Sequence, residues 1–316
     1  MTISTTAPTP QEAAADSLKD RPHPDVDIDQ VLSNTRVVPG TVTNPHEQFR
    51  FNMREQGFTK KSGRAALEEM KAEFFALMDI LAADQDRAVL FILQGIDAAG
   101  KDGIIKHVLE GVNPSEVDVT GFKAPSKLEM SHDFLWRNEL EVPALGKMAI
   151  FNRSHYENVL VTRVHPELLW PKTSMPVRKD IWQQRYDEIN NWERRLYNNG
   201  TIIIKMLLLV SKEEQGRRFL ERINNPAKNW KVSPTDMKER GFWDEYTEAF
   251  TDMLNHTSTE HAPWHVLSMD EKWSGQLEAI TILLNELRAL NLHYPEVSAE
   301  DRERLVEMKR ELEAGQ

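Results

Sequence analysis

The sequence predicts an α/β fold of three layers, a mostly parallel sheet flanked by helices, and three observations carry that expectation. Short apolar runs of strand character alternate with longer segments whose apolar residues recur at helical spacing. The stretch from Ala88 to Val112 holds both signatures in the order strand, loop, helix: AVLFILQG, IDAAGKDG, IIKHVLEGV. A third run, TIIIKMLLLV from Thr201 to Val210, is aliphatic on both faces, as a central parallel strand must be.

Composition bounds the rest. A chain of 316 residues suffices for one large α/β domain with an appended lid. Hydrophobic residues make up 40% and charged residues 28%, as in an ordinary globular protein. A formal net charge of -11 argues against a general nucleic-acid binder, which works by neutralising phosphates, so any polyanion must be met by a local basic channel. The absence of cysteine excludes disulfides, thiolate metal sites and thiol nucleophiles and suits a reducing compartment. The N-terminus shows no basic region followed by an apolar run, and the longest apolar stretch is broken by Lys205, so neither a secretory signal nor a membrane partner is expected, and the cytoplasm is the expected compartment.

In order along the chain, residues 1–45 are rich in Thr, Pro, Ala and Asp and read as a flexible N-terminal arm. From Phe58 to Ala83 the apolar residues Leu67, Met70, Phe74, Leu77, Met78 and Leu81 share one helical face. The first strand and its loop follow, then a helix stopped by Gly111 and Asn113-Pro114. Glu116 to Phe122 alternates as a short strand, and 127–137 reads as an amphipathic helix. Lys147 to Phe151 is the third strand, Val177 to Asn199 a polar helix with aromatic anchors, and Thr201 to Val210 the fourth strand. Pro234 to Asn255 is amphipathic, Pro263 to Met269 the last strand, and Gln276 to Leu290 a helix with its leucines inward. The core domain is thus expected over 46–295, with a C-terminal helical tail at 296–316 free to make contacts in a homo-oligomer.

The loop after the first strand reads Gly95, four residues, Gly100, Lys101, the core of a phosphate-binding P-loop. Glycines let successive backbone N–H groups turn toward an anion, the helix start adds positive dipole, and the lysine adds a mobile full charge. Gly95, Ala98, Ala99, Gly100, Asp102 and Gly103 therefore form the expected phosphate cradle, although Asp102 stands where most such loops carry a magnesium-binding hydroxyl. Asp97 lies inside the loop, where a carboxylate would repel phosphates unless a cation or a proton intervenes. It reads as a metal ligand or an acid–base group, or else as a turn-forming aspartate. Lys123, in a loop after a strand, is a candidate phosphate or base contact. Asn152, just past the third strand, is a neutral candidate metal ligand, and Arg153 beside it has the planar fork of donors that bridges phosphates. His155 reads as a structural hydrogen-bonding residue.

Immediately after the fourth strand the charge changes sign. Between Lys212 and Lys231 six basic residues (Lys212, Arg217, Arg218, Arg222, Lys228, Lys231) stand against three acids. Arg218 and Arg222 are four apart and share a helical face. A basic helix in this place is where nucleoside monophosphate kinases keep a lid that delivers arginines over phosphates and excludes water. A solvated helix paired internally with Glu213, Glu214 and Glu221 is the plainer reading. With a lid at about 212–255, the expected architecture is a P-loop nucleotide-kinase-like fold.

The segments GIDAAGKDG, GVNPSEVDVTGFKAPS, HDFLWR, IFNRSHYENVLVTRVHP and SKEEQGRRFLERINNPAKNWKVSPTD together resemble the polyphosphate kinase 2 family over roughly residues 60 to 290. Asn152, where many relatives carry aspartate, is similar to the subgroup called class III, which implies transfer of phosphoryl groups from inorganic polyphosphate to AMP and ADP. The resemblance implies catalytic roles for Asp97, Lys101, Asn152 and Arg153, with Asp97 and Asn152 serving Mg2+ (or Mn2+). It implies that Glu157 helps seat a nucleoside monophosphate, and that Lys212, Arg217, Arg218, Arg222 and Lys231 face polyphosphate. The partners it implies are polyphosphate, adenine nucleotides and a second or further copies of the chain, as a homodimer or homotetramer. Two competing functions remain open at this point: an ATP-dependent kinase of a nucleoside or small metabolite, and a nucleotide-binding regulatory protein without turnover.

Overall fold

The computed structural model describes residues 25–170 and 180–315. Five strands, β1 (Ala88–Gln94), β2 (Val117–Gly121), β3 (Met148–Asn152), β4 (Thr201–Leu209) and β5 (Trp264–Ser268), form one sheet in the order β2-β3-β1-β4-β5. Every neighbouring pair is parallel, with Val89 of β1 beside Met148 of β3 on one side and Ile202 of β4 on the other. The principal helices are α1 (Ile28–Thr35), α2 (Lys60–Asp84), α3 (Lys101–Val108), α4 (Ile181–Asn198), α5 (Lys212–Asn224), α6 (Trp243–Thr257), α7 (Lys272–Ala289) and α8 (Ala299–Ala314).

Alternation along the strands sends neighbouring side chains to opposite faces of the sheet. Val89, Phe91 and Leu93 join Phe74 and Met78 of α2 and Leu277, Ile280 and Leu284 of α7 in one apolar cluster. Leu90 and Ile92 join Tyr186 and Trp192 of α4 and Phe250 and Met253 of α6 in the other. The result is the three-layer α/β architecture, with β1 buried along its whole length. Since all strands run the same way, the loop after β1, Asn152 at the end of β3, Ser211 after β4 and Met269 after β5 converge at one edge, where ligands of such sheets bind. Lys205, which interrupts β4, is fully buried in an ion pair of 2.6 Å with Glu193 of α4.

Several boundaries differ from expectation for identifiable reasons. The described part of the expected N-terminal arm is packed: Val31, Val37 and Val42 are buried, and the backbone of Val37 donates to Trp264 O at 2.9 Å. The expected helix over 127–137 is a 3-10 turn at Glu129–Ser131 and a single helical turn at Trp136–Glu139. Ser126 and Asp133 accept or donate local side-chain hydrogen bonds there, which compete with a continuous helix. Burial is uneven across the expected lid at 212–255. Gln215, Arg218 and Phe219 of α5 and Ala249, Phe250, Met253 and Leu254 of α6 are buried, so the part carrying little buried apolar surface is residues 220–242. The start of the expected helix at Val177 lies outside the described residues, and α8 is exposed at every position.

Candidate active site

The P-loop is shaped by close backbone approach. A Cβ on Gly95 would lie 2.5 Å from Leu208 O, and its φ of +150 is open to glycine. Ala98 takes φ +65, a left-handed conformation that L residues seldom adopt, and Gly100 ends the loop at φ +121. Lys101 opens α3 and folds back over its own loop, donating to Gly95 O at 2.5 Å and Ile96 O at 3.2 Å. It is only 8% exposed and makes no ion pair among the described residues. Burial first, then the neighbouring Arg153 guanidinium, pull its pKa down to about 8.

Arg153 follows β3 in a left-handed conformation (φ +65), which turns its guanidinium across the loop. It donates to Asp97 Oδ1 at 2.6 Å and to Glu157 Oε2 at 3.3 Å. The Glu157 carboxylate keeps Arg153 firmly charged against partial burial, with Asp97 adding to the effect. Asn152 donates its amide to Asp102 Oδ1 at 2.9 Å, tying the end of β3 to the first turn of α3.

Two cavities meet at Asp97 and Arg153. One, of about 610 Å3, is lined by Ala98, Gly100, Lys101, Asp102, Gly103, Lys123, Asn152, Arg222, Lys228, Trp230, Lys231 and Lys272 among others. Seven cations (Lys101, Lys123, Arg153, Arg222, Lys228, Lys231, Lys272) face it, with Arg218 buried in its wall, against three acids (Asp97, Asp102, Glu221). In a chain of net charge -11 this is a local field suited to a polyanion. The other, of about 230 Å3, is walled by His46, Leu160, Val161, Trp243, Tyr246 and Phe250, with Gly95, Glu157, Glu239 and Arg240 at its polar side. His46 and Trp243 have ring centroids 5.1 Å apart. Tyr246 donates to Glu239 at 2.7 Å, and burial together with that carboxylate pushes its hydroxyl well above the ordinary tyrosine range.

Most residues expected at the site are therefore brought together, and four side chains are placed elsewhere. Arg218 is only 3% exposed and grips the P-loop from behind, donating to Ala98 O at 2.8 Å, Ala99 O at 3.0 Å, Met269 O and Glu214. Its guanidinium is thus occupied by the backbone of the P-loop and of the turn after β5. Arg217 points to another face, paired with Glu214 at 2.6 Å. Lys212 lines neither cavity, its ammonium lying 5.6 Å from the Trp243 ring. Ala99 is completely buried in the core and shapes the loop without facing the cavity. Conversely, the sequence alone did not point to Lys272, Trp230 or the aromatic cavity. His46 stood at the very start of the expected core domain with no motif around it, and Trp243, Tyr246 and Phe250 read as packing residues of an amphipathic helix.

A sequence model of the family described as "Polyphosphate kinase 2 (PPK2)" matches residues 57–295. The chain belongs to the polyphosphate kinase 2 family. As a polyphosphate kinase it is a phosphotransferase, and the P-loop fold expected from the sequence is the fold found. It is 43% identical over 204 residues to the "ADP-polyphosphate phosphotransferase" of Rhodopseudomonas palustris, covering 63% of this chain and 70% of that protein. It is 42% identical over 184 residues to the "AMP/ADP-polyphosphate phosphotransferase" of Meiothermus ruber, covering 58% of this chain and 66% of that protein. The crystal structure of polyphosphate kinase 2 from Arthrobacter aurescens TC1 superposes with a TM-score of 0.77 at 36% identity, over 88% of this chain and 96% of that one. Among the described residues no helix is long and apolar enough to cross a membrane.

Proposed function

We propose that this polyphosphate kinase transfers phosphoryl groups from inorganic polyphosphate to AMP and ADP, with donor and acceptor in separate cavities that meet at Asp97 and Arg153. The observation that carries the reading is the opposite character of those cavities. A polyphosphate chain offers no base to recognise, only repeated anionic phosphates, and the lysine- and arginine-lined cavity matches it. A nucleotide offers a flat apolar base, and the cavity walled by Trp243, Tyr246 and Phe250 suits it, with its phosphate end toward Arg153.

Phosphoryl transfer asks little covalent help from protein and much alignment and positive charge. The P-loop N–H groups and Lys101 hold the donor phosphate, and Arg153 spans donor and acceptor at the junction, so the accepting oxygen lies in line with the phosphorus. Closure of 220–242 brings Arg222, Lys228 and Lys231 over the chain and excludes water.

The described residues contain no cluster of three or more carboxylates and histidines able to cage a metal by themselves. That suits Mg2+, which binds through one or two carboxylates, water and substrate phosphates. Asp97, Asp102 and Asn152 face the cationic cavity and would hold it there. The bound ion would neutralise charge on the bridging phosphate oxygens. For Asp97 to take part, Arg153 would release the carboxylate it holds at 2.6 Å and turn toward phosphate.

The deciding assay incubates the purified protein with Mg2+, AMP and polyphosphate and separates nucleotides by chromatography. ADP should form first and ATP after it. Absence of both, with Mn2+ also supplied, refutes the proposal.

A further inference from the structure

A third hollow, of about 880 Å3, opens between α2, α5 and the start of α7. It borders the cationic cavity across His107, Lys272 and Gln276, which line both. Its acids are already engaged. Glu68 pairs with Lys71 at 3.0 Å, Glu214 with Arg217 at 2.6 Å and Arg218 at 2.8 Å, and Glu271 with Arg54 at 2.7 Å. Asp270 accepts the backbone N–H of Ser211 at 2.7 Å. Lys60, Arg64 and Lys272 make no ion pair among the described residues. In a chain with eleven more negative than positive charges, a hollow beside the donor cavity where five cations (Arg54, Lys60, Arg64, Arg217, Lys272) outnumber four acids (Glu68, Glu214, Asp270, Glu271) is a local reversal of sign, and Lys60, Arg64 and Lys272 are its cations held in no direct ion pair among the described residues.

We infer that this hollow is a distal subsite for the polyphosphate chain, binding phosphates remote from the transferred one. The inference rests on the proposed donor role of the cationic cavity. A long chain leaves that cavity past Lys272, and its next phosphates meet Arg64 and Lys60 on the first turns of α2. A short oligophosphate ends before them. Each added contact acts on a chain already tethered at the P-loop, so modest individual attractions raise affinity for long chains without touching the reacting phosphate. The contacts are those of an exposed cationic track on a flexible polyanion, and they carry the salt dependence such tracks show.

The test is Lys60→Gln/Arg64→Gln. Both side chains are exposed on α2, and glutamine keeps the helix and the volume, so melting temperature serves as the check on folding. With AMP saturating, KM for long-chain polyphosphate should rise about tenfold while KM for a short oligophosphate and kcat on both stay unchanged. The slope of log KM against log salt for the long chain should flatten by about two. Direct binding of long-chain polyphosphate to the wild-type and variant proteins, measured by calorimetry without nucleotide, should show the same loss. Equal binding and equal KM for the long chain, or an equal loss on short and long chains, overturns the subsite. Wild-type protein that turns over neither donor refutes the polyphosphate-dependent reading instead, and calorimetry still decides whether Lys60 and Arg64 bind the chain.

Discussion

Replacing Glu193 by Gln tests how the turn that carries Arg153 and Glu157 is held in place. Glu193 and Lys205 are fully buried behind that turn. The Glu193 carboxylate accepts from Lys205 at 2.6 Å and from the Tyr156 hydroxyl at 2.6 Å, and Lys205 also donates to Tyr156 at 2.8 Å and to Thr257 O at 2.7 Å. Burial alone would raise the Glu193 carboxyl, but Lys205, with His155, holds it below the usual range, so the pair is charged. Glutamine preserves the shape and removes the negative charge, leaving the ammonium with neutral acceptors alone: an amide oxygen, a hydroxyl and a backbone carbonyl. Breaking one side of a buried pair costs roughly 3–5 kcal/mol. Lys205 can limit that by releasing its proton, since burial already lowers its pKa, which favours the lower end, about 3 kcal/mol. In a domain of this size that is a fall in melting temperature of about 6 °C. The double variant Glu193→Gln/Lys205→Met removes both charges and should recover most of the loss, because the penalty lies in the orphaned charge. Calorimetric melting of the wild type, both single variants and the double variant gives the coupling. A single Gln variant melting within a degree of wild type, or a double variant losing the sum of the singles, would refute the reasoning.

Asp97→Ala and Lys101→Ala should each lower kcat by at least about a thousandfold while the circular dichroism spectrum stays that of the wild type, since both side chains face the cavities. Lys101 is depressed to about 8 by burial, so kcat/KM for polyphosphate in the free enzyme should fall as pH rises through about 8, with the limb in kcat displaced upward because bound phosphate favours the charged amine. The same shift has a stability sign: between about 8 and the ordinary 10.5 the unfolded chain holds a proton the folded one has lost, so this group's contribution to stability increases with pH across that window, and denaturant melts at several pH values check it. Trp243→Ala should raise KM for AMP about tenfold and leave KM for polyphosphate unchanged, and equal effects on both would remove the base from that cavity.

Periodicity made the sheet legible, since β1, β3, β4 and β5 are apolar runs whose strand character is carried by their own residues. The P-loop was legible because its glycines answer a local backbone demand, as the contact of Gly95 with Leu208 O shows. Arg218 marks the limit. Its helical face could be counted from Arg222, but its partners are carbonyls 51 to 120 residues away, and only the tertiary fold shows it pointing at the loop and not at substrate. Arg217, one residue earlier, leaves the site because a helix turns about 100° per residue. The aromatic cavity was hidden for a related reason: His46 and Trp243 become neighbours only when the N-terminal segment docks on α6.

Both ends of the P-loop environment are fastened from outside the cavities. Arg218 and Gln215 of α5 hold the carbonyls of Asp97, Ala98 and Ala99, and the Glu193–Lys205–Tyr156 group holds the turn after Arg153. A strained cradle, with Ala98 and Arg153 both at φ +65, persists only where such surroundings determine it. The groups left free to respond to substrate are then the Asp97–Arg153 contact, the Lys101 ammonium resting on its own loop, and the sparsely packed 220–242. On the proposed function each has a reason to move: phosphate would compete with Asp97 for Arg153 and with Gly95 O for Lys101, and a chain entering the cationic cavity would draw Arg222, Lys228 and Lys231 inward. On that reading a rigid backbone with mobile charges would let one site hold a donor whose length changes at every turnover, because the cradle itself would recognise the terminal phosphate whatever length of chain lies behind it.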